Sequence, residues 1–228
     1  MTQDQEKQAA ARESLQFVRD GQIVGLGTGS TAVHAVRFLA ERVKDGLKIL
    51  GIPTSVRTAE QAASWGIPLT SLNEHQEIDV TIDGADEIDP QLRLIKGGGG
   101  AFMREKIIAS ASKQLIIIAD SSKQVRMLGK HPLPVEVVPF AQELVAKKIR
   151  ALGATVSVRK DGAKFFVTDE GNHILDCDFG KIPDPPALAH ALEDMPGLVE
   201  HGLFINMASV VLIGTESGVE QLRRPQSF

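Results

Sequence analysis

The chain contains no tyrosine, one tryptophan (Trp65) and one cysteine (Cys177) among its 228 residues. A lone cysteine excludes an internal disulfide and fits a reducing, cytoplasmic setting. Aromatic residues make up 4% of the chain, too few to build a stacking platform for single-stranded nucleic acid. Clustered positive charge is scarce as well. No basic cluster is longer than Arg223-Arg224 and the formal net charge is −4, which argues against a nucleic-acid partner. No apolar run approaches the roughly 20 residues of a membrane span, and the polar opening Met1-Thr2-Gln3-Asp4 is unlike a signal peptide. The histidines His34, His75, His131, His173, His190 and His201 lack metal-ligand spacing, and no Ser/His/Asp or Cys/His set can be assigned.

What is present is the composition of a soluble globular protein, 43% hydrophobic and 24% charged. A chain of this length buries roughly 70–75% of its unfolded surface, as one large domain or one domain with a smaller companion. Short apolar runs alternate with helical patterns over the first 130 residues, the mark of a parallel sheet flanked by helices. Helices are expected at Gln5–Val18 and Ala32–Val43. A third should be opened by the capping-box spacing Thr58-Ala59-Glu60-Gln61 and run to Trp65, and a fourth should span Ala101–Ser112. Strands are expected at Ile23–Leu26, Leu47–Ile52, Ile78–Ile82, Leu92–Ile95 and Leu115–Ala119. Residues 131–205 read as a smaller, strand-rich α+β domain inserted into an α/β domain of residues 1–130 plus 206–228. It holds a helix capped by Asp184-Pro185 and a strand Val199–Phe204. The apolar run Ala208–Ile213 should return to the first sheet, followed by a short helix Gly218–Leu222.

The most informative motif is the run Lys96-Gly97-Gly98-Gly99-Gly100-Ala101. Fixing glycine costs backbone entropy, so four in succession imply a backbone that comes close to a ligand with its N–H groups outward. A helix begins directly after the run, where unpaired N–H donors and a positive dipole end favour an anion. Glu105 lies in its first turns. As a plain helix residue it would only complement the dipole; beside an anion site it is a candidate general base. Gly27-Thr28-Gly29-Ser30-Thr31 reads as a phosphate cradle or as an ordinary glycine turn with a hydroxyl cap. Lys123 could close a phosphate site as a point charge. The acidic loop Asp83, Asp86, Glu87 and Asp89 offers three readings: a hard-cation site, carboxylates that hold sugar hydroxyls, or a solvated turn ending at Pro90. Each of these motifs, and Asp120-Ser121-Ser122-Lys123, directly follows a predicted strand. Four loops are therefore expected at one carboxyl edge, where open α/β sheets bind ligands.

Together, the segments Ile23–Thr31, Asp83–Glu87, Lys96–Ala101 and Arg104–Ile107 resemble the type A ribose-5-phosphate isomerases. Pro132–Val137, Thr168–Asn172 with Ile174–Asp176, and His201–Phe204 continue the resemblance along essentially the whole chain. One departure is Ala208-Ser209-Val210, where many members carry an aspartate. The resemblance implies a Rossmann-like α/β domain with a smaller α+β domain. It also implies reversible interconversion of D-ribose 5-phosphate and D-ribulose 5-phosphate in the pentose phosphate pathway, through an enediolate and without metal or organic cofactor. Glu105 would be the base, with Lys96 and the N–H groups of Gly97, Gly98 and Gly99 on the oxyanion. Asp83 and Asp86, with Gly84 and Ala85 between them, would hold sugar hydroxyls. Thr28, Gly29, Ser30, Thr31 and Lys123 would bind substrate, phosphate recognition being the role such donors suit. A cytoplasmic homodimer, or a tetramer, is implied, with no membrane or nucleic-acid partner.

Two rivals stand beside this reading. A phosphosugar-sensing regulator domain would need a DNA-reading helix-turn-helix, and Met1–Asp20 offers one helix and no basic face. Acyl transfer of the CoA-transferase kind would use a glutamate as nucleophile. The loops and glutamate together fit the isomerase better than either.

Overall fold

The computed structural model describes residues 1–224. In chain order the elements are α1 (Gln3–Ser14), β1 (Ile23–Leu26), α2 (Ala32–Lys44), β2 (Leu50–Pro53), α3 (Val56–Ser64), β3 (Val80–Asp83), β4 (Glu87–Ile88) and β5 (Leu94–Ile95). They continue with α4 (Phe102–Ser110), β6 (Leu115–Asp120), β7 (Leu133–Val137), α5 (Gln142–Ala151), β8 (Thr155–Val158), β9 (Lys160–Asp161), β10 (Lys164–Phe165) and β11 (His173–Asp178). The last are α6 (Pro185–Glu193), β12 (Leu198–His201), β13 (Leu203–Phe204), β14 (Val210–Thr215) and β15 (Gly218–Arg223). Two compact units result. The first comprises residues 1–85, 104–123 and the chain from Asn206 onward; the second comprises 86–103 and 124–205.

The first unit is built on a six-stranded sheet in the order β15-β14-β6-β3-β1-β2. From β14 to β2 the strands are parallel; only β15 is antiparallel. β3 and β6 are buried at every position, which explains why they read as near-continuous apolar runs. Val24, Leu26, Ile82, Ile116, Ile118 and Leu212 pack in one cluster with Ala10 and Ala11 of α1 and Val36 and Leu39 of α2. Ile108 of α4 packs with Ile52 and Ile78 in a separate cluster. The return of the chain to this sheet after residue 206 is as expected, with β14 parallel to β6. Ser209, at the departure from the family pattern, takes the Leu115 N–H on its hydroxyl.

The expected helix Gly218–Leu222 is instead strand β15. Five residues are too few to nucleate a helix alone, while the open edge of β14 offers a full ladder of backbone partners. The third helix does not start from Thr58 either. Ser55 caps α3 with extended backbone, its side chain accepting the Thr58 N–H at 3.0 Å. α1 starts at Gln3, earlier than Gln5, through a capping box between Thr2 and Gln5.

The second unit holds an antiparallel sheet β12-β7-β11-β8, a three-stranded sheet β13-β5-β4 and the pair β10-β9. Its core joins Val135, Val145, Ile149, Leu175, Cys177 and Leu192. The expected strand Val199–Phe204 is broken by Gly202 into β12 and β13. A Cβ at Gly202 would lie 2.3 Å from Lys96 O, so only glycine allows that backbone approach. The division differs from 1–130 plus 206–228 in placing 86–103 and 124–130 with the second unit. Pairing explains it: β5 pairs with β13, the Val125 N–H donates to Ile88 O, and the Glu87 carboxylate accepts from Gly129 and His131 N–H.

Candidate active site

In the first unit three of the singled-out loops follow β1, β3 and β6, which are neighbours in the parallel sheet. Lys96 follows β5, which belongs to the three-stranded sheet of the second unit. The expectation of four loops on one sheet edge is therefore corrected to three. A two-residue strand is too short for its sheet to be read from pattern.

Thr28 is buried, and its hydroxyl joins Thr54 Oγ1 at 2.7 Å, Ser55 Oγ at 2.7 Å and Thr58 Oγ1 at 2.9 Å. Thr58 and Thr54 in turn donate to the carbonyls of Gly27 and Leu26. This hydroxyl cluster sets the shape of the loop. Thr54 and Ser55 were not singled out from sequence, and Thr58 was read only as a helix cap, because hydroxyls about 30 positions downstream carry no motif that ties them to this loop. Gly29 adopts φ +124°, a region open to glycine, and its carbonyl accepts the Val33 N–H. Thr31 stands at the N-cap of α2, yet its side chain makes no cap hydrogen bond, so the reading as an ordinary hydroxyl cap does not hold. Ser30 is exposed and accepts from Lys7 Nζ at 3.1 Å. A cavity of about 250 Å³ opens beside the loop, lined by Gly27, Gly29, Ser30, Arg57, Thr58 and Gln61 with Val33 and Val36.

Asp83 ends β3 at 1% exposure, and its Oδ1 accepts the Thr28 N–H at 3.1 Å and the Gly84 N–H at 2.7 Å. Gly84 and Ala85 are half-buried. Glu105 is 4% exposed in the first turn of α4. Lys123 ends a 3-10 turn, Ser121–Lys123, that directly follows Asp120 at the end of β6. Burial pushes the Asp120 carboxyl up. Hydrogen bonds from Ser122 and Gln3 and the Lys123 charge outweigh that and leave it below the usual carboxylate range.

In the second unit Asp86 Oδ2 accepts the Gly98 N–H at 2.7 Å. Lys96 is 3% exposed; its backbone N–H donates to Gly202 O, and its ammonium lies 5.4 Å from the centre of the Phe204 ring. Gly97 is held at φ +110°, while Gly98 and Gly99 are exposed. Arg159 Nη1 donates to Gly97 O at 2.7 Å and Gly98 O at 3.3 Å, and its guanidinium pairs with Asp176. Arg159 thus turns the loop carbonyls to one side. Some 60 residues separate it from the glycines, and no sequence signal pointed to it.

The acidic loop is held by local hydrogen bonds. Each carboxylate is taken by its own donors: Asp83 by Thr28 and Gly84, Asp86 by Gly98, Glu87 by Gly129 and His131, Asp89 by Gln91 and Arg93. Among the described residues no group of three or more His, Cys, Asp or Glu is placed to hold a metal ion. The turn at Asp89 exists, with Asp89 itself buried and Pro90 and Gln91 exposed to solvent.

Buried carboxylates at strand ends, glycine-bearing loops and a desolvated lysine define an α/β enzyme equipped for acid–base chemistry. A model of the family ribose 5-phosphate isomerase A (phosphoriboisomerase A) matches residues 50–218. The ribose-5-phosphate isomerase A of Parvibaculum lavamentivorans is 54% identical over 228 residues, covering 96% of this chain and 98% of that one. The solved ribose 5-phosphate isomerase of Plasmodium falciparum superposes with a TM-score of 0.94 at 39% identity, covering 98% of this chain and all of that one. A D-ribose-5-phosphate isomerase solved in complex with phospho-erythronic acid gives 0.96 at 39%, with coverage of 98% and 100%. The chain belongs to the ribose 5-phosphate isomerase A family and is an aldose–ketose isomerase.

Proposed function

We propose that this chain interconverts D-ribose 5-phosphate and D-ribulose 5-phosphate through an enediolate, with Glu105 as the base. The observation that carries this reading is the burial of Glu105 in the first turn of the helix that the glycine run introduces. From the aldose, Glu105 removes the C2 proton and negative charge builds on O1. The proton returns to C1 while the O2 hydroxyl proton passes to O1. Lys96 and the N–H groups of Gly97 and Gly99 stabilise the oxyanion, while the Gly98 N–H is held by Asp86 Oδ2 and fixes the loop; in other enzymes one oxyanion donor is worth about 2.7–4 kcal/mol. Asp83 and Asp86, flanking Gly84 and Ala85, hold the sugar hydroxyls and pass the hydroxyl proton. Thr28, Gly29, Ser30, Thr31 and Lys123 take the phosphate end, Thr28 by fixing the loop. Support comes from full-length similarity to the isomerases, and from a relative's complex with a phosphorylated aldonic acid, whose planar carboxylate has the charge of an enediolate.

A cytoplasmic homodimer, with a tetramer as the alternative, completes the reading. Phe140 is fully exposed, and Val138 and Leu144 nearby in sequence are exposed as well, apolar surface of the kind that subunit contacts cover. No helix among the described residues is long and apolar enough to cross a membrane. The test is ¹H NMR of D-ribose 5-phosphate in D₂O with EDTA-treated protein. Ribulose 5-phosphate carrying deuterium at the exchanging carbon is expected. Binding without turnover would instead mark a phosphosugar sensor.

A further inference from the structure

Helix α1 has no part in the chemistry above, yet its first two turns are fastened to the strand end that carries Lys123. Gln3 Nε2 donates to Asp120 Oδ1 at 3.1 Å and to Ser122 Oγ at 3.2 Å. Glu6 is 6% exposed, and its Oε2 accepts from both the backbone N–H and the hydroxyl of Ser121, at 3.0 and 2.8 Å. Asp120 is fully buried at the end of β6, and its Oδ1 also takes the N–H and hydroxyl of Ser122. A Cβ on Gly214 of β14 would lie 2.0 Å from Glu6 O, so backbone rests on backbone there.

The turn Ser121–Lys123 is three residues long, with Ser121 and Ser122 exposed, and a piece of 3-10 helix that short does not hold itself. Its first two N–H groups, orphaned at any helix start, are each claimed by a buried carboxylate. Two buried acids beside a site for an anionic phosphate would repel the ligand if they faced it. Glu6 Oε2 and Asp120 Oδ1 are instead taken by N–H groups and hydroxyls of the segment that presents the cation, and order it.

We propose that Glu6 and Asp120 are positioning residues for the phosphate end of the substrate: they act through Lys123 by fixing the turn that carries it. This rests on the reading that Lys123 meets the phosphate. A lysine on a preordered turn loses less freedom on binding, so the benefit should appear in KM rather than in kcat.

The test is a double-mutant cycle with D-ribose 5-phosphate as substrate and inorganic phosphate as competing ligand. Glu6→Ala is expected to raise KM and the inhibition constant of phosphate about tenfold with kcat within about threefold, and Glu6→Gln, which keeps an acceptor, to restore most of the loss. Ser121→Ala, at an exposed position that leaves the fold intact, should raise KM by a few fold. In a Lys123→Ala background each of these changes should have no further effect on KM. If Lys123→Ala raises KM but the Glu6 and Ser121 variants leave it unchanged, or their effects multiply with that of Lys123→Ala, the positioning role is wrong and the phosphate assignment stands. If Lys123→Ala leaves KM and phosphate inhibition unchanged, the phosphate assignment fails and the positioning role falls with it.

Discussion

Asp83 Oδ1, at the end of β3, accepts the backbone N–H of Thr28 at 3.1 Å, which ties a buried carboxylate to the glycine loop of the neighbouring strand β1. Gly27 permits that approach: a Cβ there would lie 2.3 Å from the same oxygen and 2.5 Å from Ile82 O. Gly27→Ala is therefore expected to cost about 1–3 kcal/mol of stability and to displace Asp83, lowering kcat/KM at least about tenfold. Urea unfolding and initial rates check it; wild-type values in both would contradict the packing of loop against carboxylate.

Glu105→Gln keeps shape and removes the base. Turnover should fall about 10²-fold or more while KM and thermal stability stay near those of the parent. Steady-state kinetics decide, and near-normal kcat would remove Glu105 from the role of base.

Glu136 gives a pH-dependent expectation. It is 1% exposed on β7, with Oε1 accepting from Thr168 Oγ1 at 2.8 Å and Asn172 Nδ2 at 2.9 Å. Burial raises its carboxyl above the ordinary 4.5, aided by the charges of Glu170 and Glu200, and the two hydrogen bonds only partly offset this. The folded state therefore binds this proton more tightly than the unfolded chain. Its contribution to stability is full below the unfolded value and is lost as pH rises through the folded one. Glu136→Gln, neutral at every pH, should gain in melting temperature relative to the parent from about pH 4.5 upward. A constant gap between the two across that range would refute it.

Cys177 lies at 1% exposure, and burial, with the Asp176 charge adding, pushes its thiol up to about 12. Labelling by a disulfide reagent at pH 8 should be about 10³-fold slower in the native protein than in denaturant. Rapid native labelling would mean that this core opens.

Much of this was legible along the chain. β1 matches its expected bounds, and β6 and β14 were near theirs, because strands buried on both faces must be apolar throughout. The glycine loops were legible for a related reason: a backbone held at positive φ, or pressed against another, tolerates no Cβ. β15 was misread because an open sheet edge, not local propensity, decides the conformation of so short a segment. Arg159, and the hydroxyls of Thr54 and Ser55, were missed because each acts by direction alone, on groups far away in sequence.

The sequence by itself determined the parallel sheet, the loops after its strands and the acids, lysines and glycines available for chemistry. Burial, side-chain period and backbone freedom are local properties written in residue type. Only the tertiary structure decided what those residues do to one another. It gave the four carboxylates of the acidic loop separate N–H donors, closed the Thr28 hydroxyl into a cluster and set Glu6 on the turn of Lys123. A hydrogen bond depends on distance and angle in space, and no spacing along the chain encodes either.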